Sequence, residues 1–298
     1  MNSVKKLCIL AVLLTFMLNS PKTAFANPET VVKVEPYQNV AGLGQQFTIS
    51  IAILEAQNLF ALEVKLYWNQ SILQLTNTTV MLGVESYPNG VLHGEVYQNE
   101  TVRSGEYMLW GTSSGQQTPS FNGSGTAVKL TFNVTEIGSC ELTLQTKLYD
   151  KPPPGEAAEP IQHSTQSGYF SPIYLFCTPT QVMVGENINI SGYVTFTSEK
   201  LSVLIQYGNE TGWYPLGNTT TDNNGNYKYL WTTQKEGNYQ IKATTTLSGT
   251  IVESAIQNVS VKPKGEIWPF TYLIITIIII VTIILLIFYI RKAKAKSR

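Results

Sequence analysis

The chain is short of the groups that perform chemistry. Among its 298 residues are two aspartates, Asp150 and Asp222, two histidines, His93 and His163, and three cysteines. Only 13% of residues are charged. Between residues 27 and 266 stand 12 basic and 20 acidic residues, with one arginine, Arg103. Nucleic-acid backbones are held by clustered Lys and Arg, so this composition argues against a nucleic-acid partner. No Gly-x-Ser-x-Gly, His-Glu-x-x-His or Walker loop occurs. Glycosidases need two carboxylates about 5–10 Å apart, and nothing singles out such a pair among the glutamates. The two histidines are distant in sequence and read as surface residues. The expectation is a non-enzyme with no catalytic site, no metal site and no cofactor.

The remaining charge is segregated at the ends. Lys5 and Lys6 precede an apolar run, Leu7 to Leu18, and Ala24-Phe25-Ala26 supplies a small-x-small cleavage site. Residues 1–26 therefore read as a secretory signal peptide, which would carry Cys8 away. At the other end Pro269 to Ile290 is free of charge. At ~1.5 Å per residue it is long enough to cross a bilayer as a helix. Trp268, Tyr272 and Tyr289 mark the interfaces, and the basic tail RKAKAKSR (291–298) follows at once. Basic flanks stay cytoplasmic. The expected topology is a single span in the cell membrane, an ectodomain outside and a short tail inside.

Nine Asn-x-Ser/Thr sequons stand between these ends: Asn69, Asn77, Asn99, Asn122, Asn133, Asn189, Asn209, Asn218 and Asn258. Random placement at this composition gives roughly four, so an N-glycosylated exterior is the economical reading. An exported location also permits a disulfide between the two remaining cysteines, Cys140 and Cys177. Cys140 begins an apolar strand pattern, so a buried thiol is the alternative.

The middle alternates with period two, which means strands. Phe47, Ile49, Ile51 and Ile53 alternate, as do Phe60, Leu62, Val64 and Leu66, and then Val128, Leu130, Phe132 and Val134. Gly, Asn, Pro or Ser bounds each run. The proline-rich stretch Lys151 to Pro160 cannot be a regular strand and reads as a surface loop. A second set of strands follows residue 170, with a turn at Asp222-Asn223-Asn224-Gly225. The expected fold is all-β. One sandwich covers 27–170 and a second 171–262, with a juxtamembrane linker over 263–268 and the span over 269–290. Trp110 and Trp231 read as core or half-buried. Trp213-Tyr214, in a polar loop, is a candidate sugar-stacking pair.

The segments GLGQQFTISIAI, NLFALEVKLYWNQSILQL, GSGTAVKLTFNV, IGSCELTLQTKLYD and IQHSTQSGYF resemble the strands of the cohesin family, across about 31–170. The resemblance implies a jelly-roll sandwich and protein binding, to a calcium-loaded dockerin, through one sheet. The same superfamily includes carbohydrate-binding modules. Where many cohesins have Asp-Pro after the tyrosine, this chain has Trp68-Asn69. By strand parity Glu63, Lys65, Tyr67, Lys129, Thr131 and Asn133 face outward, and the first five form the expected partner patch. VGENINISGYV, WYPLGNTTTDNNGNYKYLW and GNYQIKATT resemble immunoglobulin-like repeats of surface proteins, which usually act as spacers. The expected function is a membrane-anchored surface scaffold that recognises a surface protein, dockerin-bearing in the family's manner. A carbohydrate-binding surface receptor, or a non-catalytic module linked to polysaccharide degradation, is the alternative.

Overall fold

A computed structural model describes residues 29–103, 105–115, 117–195, 200–209, 211–264, 277–280 and 282. The expected signal peptide, most of the expected span and the basic tail lie outside these residues. Residues 277–280 and 282 are helical, and the Thr282 hydroxyl donates to the carbonyls of Ile278 and Ile279. No helix among the described residues is long and apolar enough to cross a membrane.

The first sandwich contains β1 (Thr30–Glu35), β2 (Gln38–Asn39), β3 (Gln46–Tyr67), β4 (Leu73–Val80), β5 (Glu95–Arg103), β6 (Glu106–Ser113), β7 (Phe121–Val134), β8 (Cys140–Asp150), β9 (His163–Gln166) and β10 (Gly168–Phe170). β3 determines the architecture. Its first half pairs with β1 and β7, and its second half pairs with β6 and β8. The backbone turns between the halves, where Glu55 and Asn58 take φ of 51° and 57° and the β7 register shifts twice. Side chains of β7 satisfy the amides freed there. Ser124 Oγ accepts from the Glu55 N–H at 3.0 Å, and Asn122 Oδ1 from the Asn58 N–H at 2.9 Å. Both residues are exposed, so these bonds hold the bend against β7 at a modest gain, about 0.5–1.5 kcal/mol each.

One strand thus serves two layers. The first layer runs β9-β1-β3-β7-β4, and the second runs β5-β6-β3-β8-β10-β2. Ile49, Ile51 and Ile53 from one half of β3, and Leu62, Val64 and Leu66 from the other, are fully buried in one shared core. That core is closed by aromatics. Phe47 stacks on Phe132 at 5.6 Å and on Phe170 at 5.0 Å, and Trp68 meets Phe132 edge-on at 5.1 Å. Trp68 Nε1 also donates to the Leu73 carbonyl at 2.8 Å, which closes the corner into β4.

The second sandwich has its own core. Its strands are β11 (Ile173–Thr178), β12 (Gln181–Met183), β13 (Asn187–Val194), β14 (Ser202–Asn209), β15 (Gly212–Thr220), β16 (Asn226–Thr232), β17 (Gly237–Leu247), β18 (Thr250–Glu253) and β19 (Gln257–Lys262). The sheet β11-β13-β16 faces the sheet β12-β19-β17-β14-β15, with β18 paired to β17. Between β15 and β16, Asp222 Oδ1 accepts from the amides of Asn224 and Asn226 at 2.9 Å each, and Gly225 takes φ of 79°. Hydrogen bonds also join the sandwiches. Ser139 Oγ donates to the Glu253 carbonyl at 3.0 Å, and Gln38 Nε2 to the Leu175 carbonyl at 3.1 Å.

The candidate disulfide does not form. Cys140 and Cys177 are both free. Cys177 is fully buried in the second core, while Cys140 packs against the first. Each thiol answers a packing need in a different sandwich. Burial raises the Cys140 pKa and pushes that of Cys177 to about 12. Thiolate is the reactive form, so both should react slowly in the native chain. Thiol titration of the denatured chain without its leader is expected to count two free thiols. A count of zero would contradict the structure.

Candidate partner-binding face

The outer surface of the second layer is an array of rows set by register. Directly opposed residues of antiparallel strands point to the same face. Lys147 of β8 opposes Glu63 of β3, Glu63 opposes Trp110 of β6, and Trp110 opposes Gln98 of β5. The next row is Gln145, Lys65, Met108 and Glu100. On one flank of these rows Tyr67 stands opposite Glu106 and Thr143. On the other, Ala61 and Thr112 lead to Val96 on the edge strand.

Two features suit this face to a partner. Trp110 is 43% exposed and Val96 52%, although both belong to a folded sheet that could have hidden them. Around them runs a mixed-charge network. Glu63 lies 3.5 Å from Lys65 and 3.5 Å from Lys147. Exposed pairs of this kind contribute roughly 0–1 kcal/mol to stability, so folding alone gives little reason for them. An exposed aromatic beside complementary charges is the composition of an interface. The Trp110 ring therefore stands on the surface, not in the core or half-buried as its strand pattern suggests. Trp231 is buried as expected.

The expected patch is divided. Glu63, Lys65 and Tyr67 stand together on this face. Lys129 and Thr131 belong to β7 and point outward from the other layer, where Thr131 Oγ1 lies 2.8 Å from Thr48 Oγ1. The parity assigned to each strand is correct, but the strands lie in different layers because β3 crosses between them. Asn133 shares the outward parity of Lys129, and Asn77 opposes Thr131, so two sequons crowd the first layer. None of the sequon asparagines shares the outward parity of Glu63 and Trp110. Asn99 opposes Leu109, with the opposite parity, on the edge strand β5. Asn69 lies in the corner after β3, where its Oδ1 accepts from the Ser71 amide at 3.0 Å. Asn122 caps the β3 bend, and Asn189, Asn209, Asn218 and Asn258 belong to the second sandwich.

The candidate sugar-stacking pair is divided too. Trp213 and Tyr214 are adjacent on β15 and so face opposite ways. The Lys242 ammonium lies 4.4 Å from the Trp213 ring, and Tyr214 stacks on Tyr207 at 5.5 Å. His93 Nδ1 lies 3.0 Å from Glu85 Oε1, and His163 Nε2 lies 2.8 Å from Thr146 Oγ1. No group of three or more metal-ligating side chains occurs among the described residues.

No protein-family model matches the chain, and no curated protein does. Solved structures do. A non-cellulosomal cohesin from the archaeon Archaeoglobus fulgidus is 16% identical, with a TM-score of 0.36, over 48% of this chain and 90% of that one. Two further cohesin structures are similar as well. A type I cohesin from Pseudobacteroides cellulosolvens is 14% identical, with a TM-score of 0.37, over 48% of this chain and 91% of that one. The sixth cohesin of scaffoldin B from Acetivibrio cellulolyticus, solved in complex with a dockerin, is 9% identical, with a TM-score of 0.39, over 48% of this chain and 99% of that one.

Proposed function

We propose that this chain is an exported, membrane-anchored, non-catalytic binding protein. Its first sandwich, cohesin-like in sequence, recognises a protein through the outward face of β5, β6, β3 and β8. Its second sandwich acts as an immunoglobulin-like spacer above the membrane. The observation that carries this reading is the exposed Trp110 ring beside the Glu63, Lys65 and Lys147 network, on the layer whose outward rows hold no sequon asparagine. A glycan is bulky and solvated, so the layer bearing Asn77 and Asn133 is the one to be shielded. A dockerin-bearing protein is the partner class that the family resemblance supports. The first sandwich carries 13 acidic and six basic residues between 29 and 170, which favours a partner with a basic contact surface.

The test is calorimetric titration of the full chain with calcium-loaded type I and type II dockerins. At least one is expected to bind. Trp110→Ala is expected to weaken it about 30-fold, the effect of losing a hot-spot aromatic. Lys129→Glu, on the other layer, should leave it unchanged. Binding that survives Trp110→Ala in the folded protein, or no binding to either type, would count against the proposal.

A further inference from the structure

The second sandwich carries aromatic side chains that its own core does not use. On β11 the buried residues are Ile173, Leu175 and Cys177, so Tyr174 and Phe176 point away from the core. On β13 Tyr193 opposes Tyr174 and points the same way. The two tyrosine rings stack at 5.4 Å with 24° between their planes. Phe176 is 46% exposed and Tyr193 39%. Two residues along a strand span about 7 Å, so Tyr174 and Phe176 are spaced like successive platforms on one face.

These rings floor an open cleft of about 1190 Å³. Its walls come from the loop and strand ends around the Asp222 turn, with Asn223, Asn224, Lys200 and Lys228. None of the described residues lining it is aliphatic. That composition separates it from the other aromatic cluster of this domain. Trp231 and Tyr239 meet edge-on at 5.2 Å and pack against the core, which explains them without a ligand. The cleft is also rigidly built. The Tyr227 hydroxyl donates to the Tyr174 carbonyl at 2.6 Å, passing over Gly192, where a Cβ would collide with both groups.

We propose that this cleft binds an oligosaccharide. Sugar rings present flat C–H faces, which stack on aromatic rings, and a rim of hydroxyls, which pair with amides and ammonium groups. Around the rings stand Thr219, Thr220, Asn223, Asn224 and the two lysines, polar groups that can pair with sugar hydroxyls. The cleft is open to solvent and its lining spans β11, β13, β16 and the end of β15, which leaves room for more than one sugar ring. The Asp222 carboxylate already accepts from the Asn224 and Asn226 amides and, at 3.2 Å, from Asn226 Nδ2. It therefore shapes the wall, and Lys200 and Lys228 remain the cations that face the ligand. The site lies in the second sandwich and does not depend on what the first one binds.

The experiment titrates the full chain with cellohexaose, mannohexaose and hexagalacturonate. At least one is expected to bind; hexagalacturonate as the preferred ligand would assign the two lysines to its carboxylates. Phe176→Ala and Tyr193→Ala are each expected to weaken binding about tenfold, the upper end of a single aromatic contact. Trp213→Ala, on the opposite sheet, should leave it unchanged. Should Tyr193→Ala impair folding, Phe176→Ala, at the more exposed ring, still decides the matter. No binding to any of the three sugars overturns the proposal. So does binding that Phe176→Ala leaves intact in the folded protein, whatever Trp213→Ala does.

Discussion

Phe132→Ala is expected to lower the stability of the first sandwich by about 3–5 kcal/mol, the cost of emptying a large, fully buried site. Phe132 is 0% exposed and lies between two aromatic neighbours, stacked on Phe47 and edge-on to Trp68. Phe47 in turn stacks on Phe170, so the ring joins strands from both layers. Trp68 is fixed by its hydrogen bond to Leu73 and cannot collapse into the cavity without giving that bond up. Denaturant unfolding should show the midpoint falling with an unchanged slope. Phe132→Leu, which fills much of the space, should recover more than half of the loss. A loss below about 1 kcal/mol for the alanine variant would mean that the aromatic cluster does not close this core.

Gly192→Val is expected to cost about 3 kcal/mol or more in the second sandwich. The position has no room for a side chain. A Cβ there would fall on the Tyr174 carbonyl and the Tyr227 hydroxyl, so the hydrogen bond between them must break. Tyr227 is 4% exposed, and burial holds its hydroxyl pKa well above the usual phenol range. Its hydroxyl would lose its acceptor in a place where water does not replace it. Leaving a buried donor unsatisfied costs about 1–3 kcal/mol, and forcing atoms into a packed site costs about as much again. Tyr227→Phe removes the hydroxyl without the collision and should cost less than Gly192→Val. If the two substitutions cost the same, the steric part of this account is wrong.

Strand pattern was legible wherever one side chain in two is apolar. Ile49, Ile51, Ile53, Leu62, Val64 and Leu66 are buried as their alternation requires. The layers were not legible, and the reason is local. The bend in β3 is made at Glu55 and Asn58, with no Gly or Pro in the strand to mark it. The chain reads there as two strands, and the structure joins them into one of 22 residues that changes layer on the way. Lys129 was therefore assigned to the face of Lys65 on correct parity and a wrong neighbour. Trp110 was missed for a related reason. In EYMLWGTS the inward positions are Tyr107, Leu109 and Gly111, so the large indole falls on the outward parity and the smallest residue falls inside. Gly111 sits beside Leu82 and Leu92, which occupy the space a side chain would need. A glycine with inward parity next to an outward tryptophan was the available signal. The saccharide cleft had a weaker one. Tyr174, Phe176 and Tyr193 alternate with aliphatic residues, but only the register of β11 against β13 brings them together.

The central claim is that the working surface of the first sandwich is the outward face of β5, β6, β3 and β8. Hydrogen exchange of the full chain, alone and saturated with the dockerin that titration selects, tests it most directly. Edge-strand amides of β5, which pair only with β6, should gain the most protection, and those of β4 on the opposite layer should gain none. Protection concentrated on β4 and β7, with β5 exchanging as in the free protein, would contradict the account.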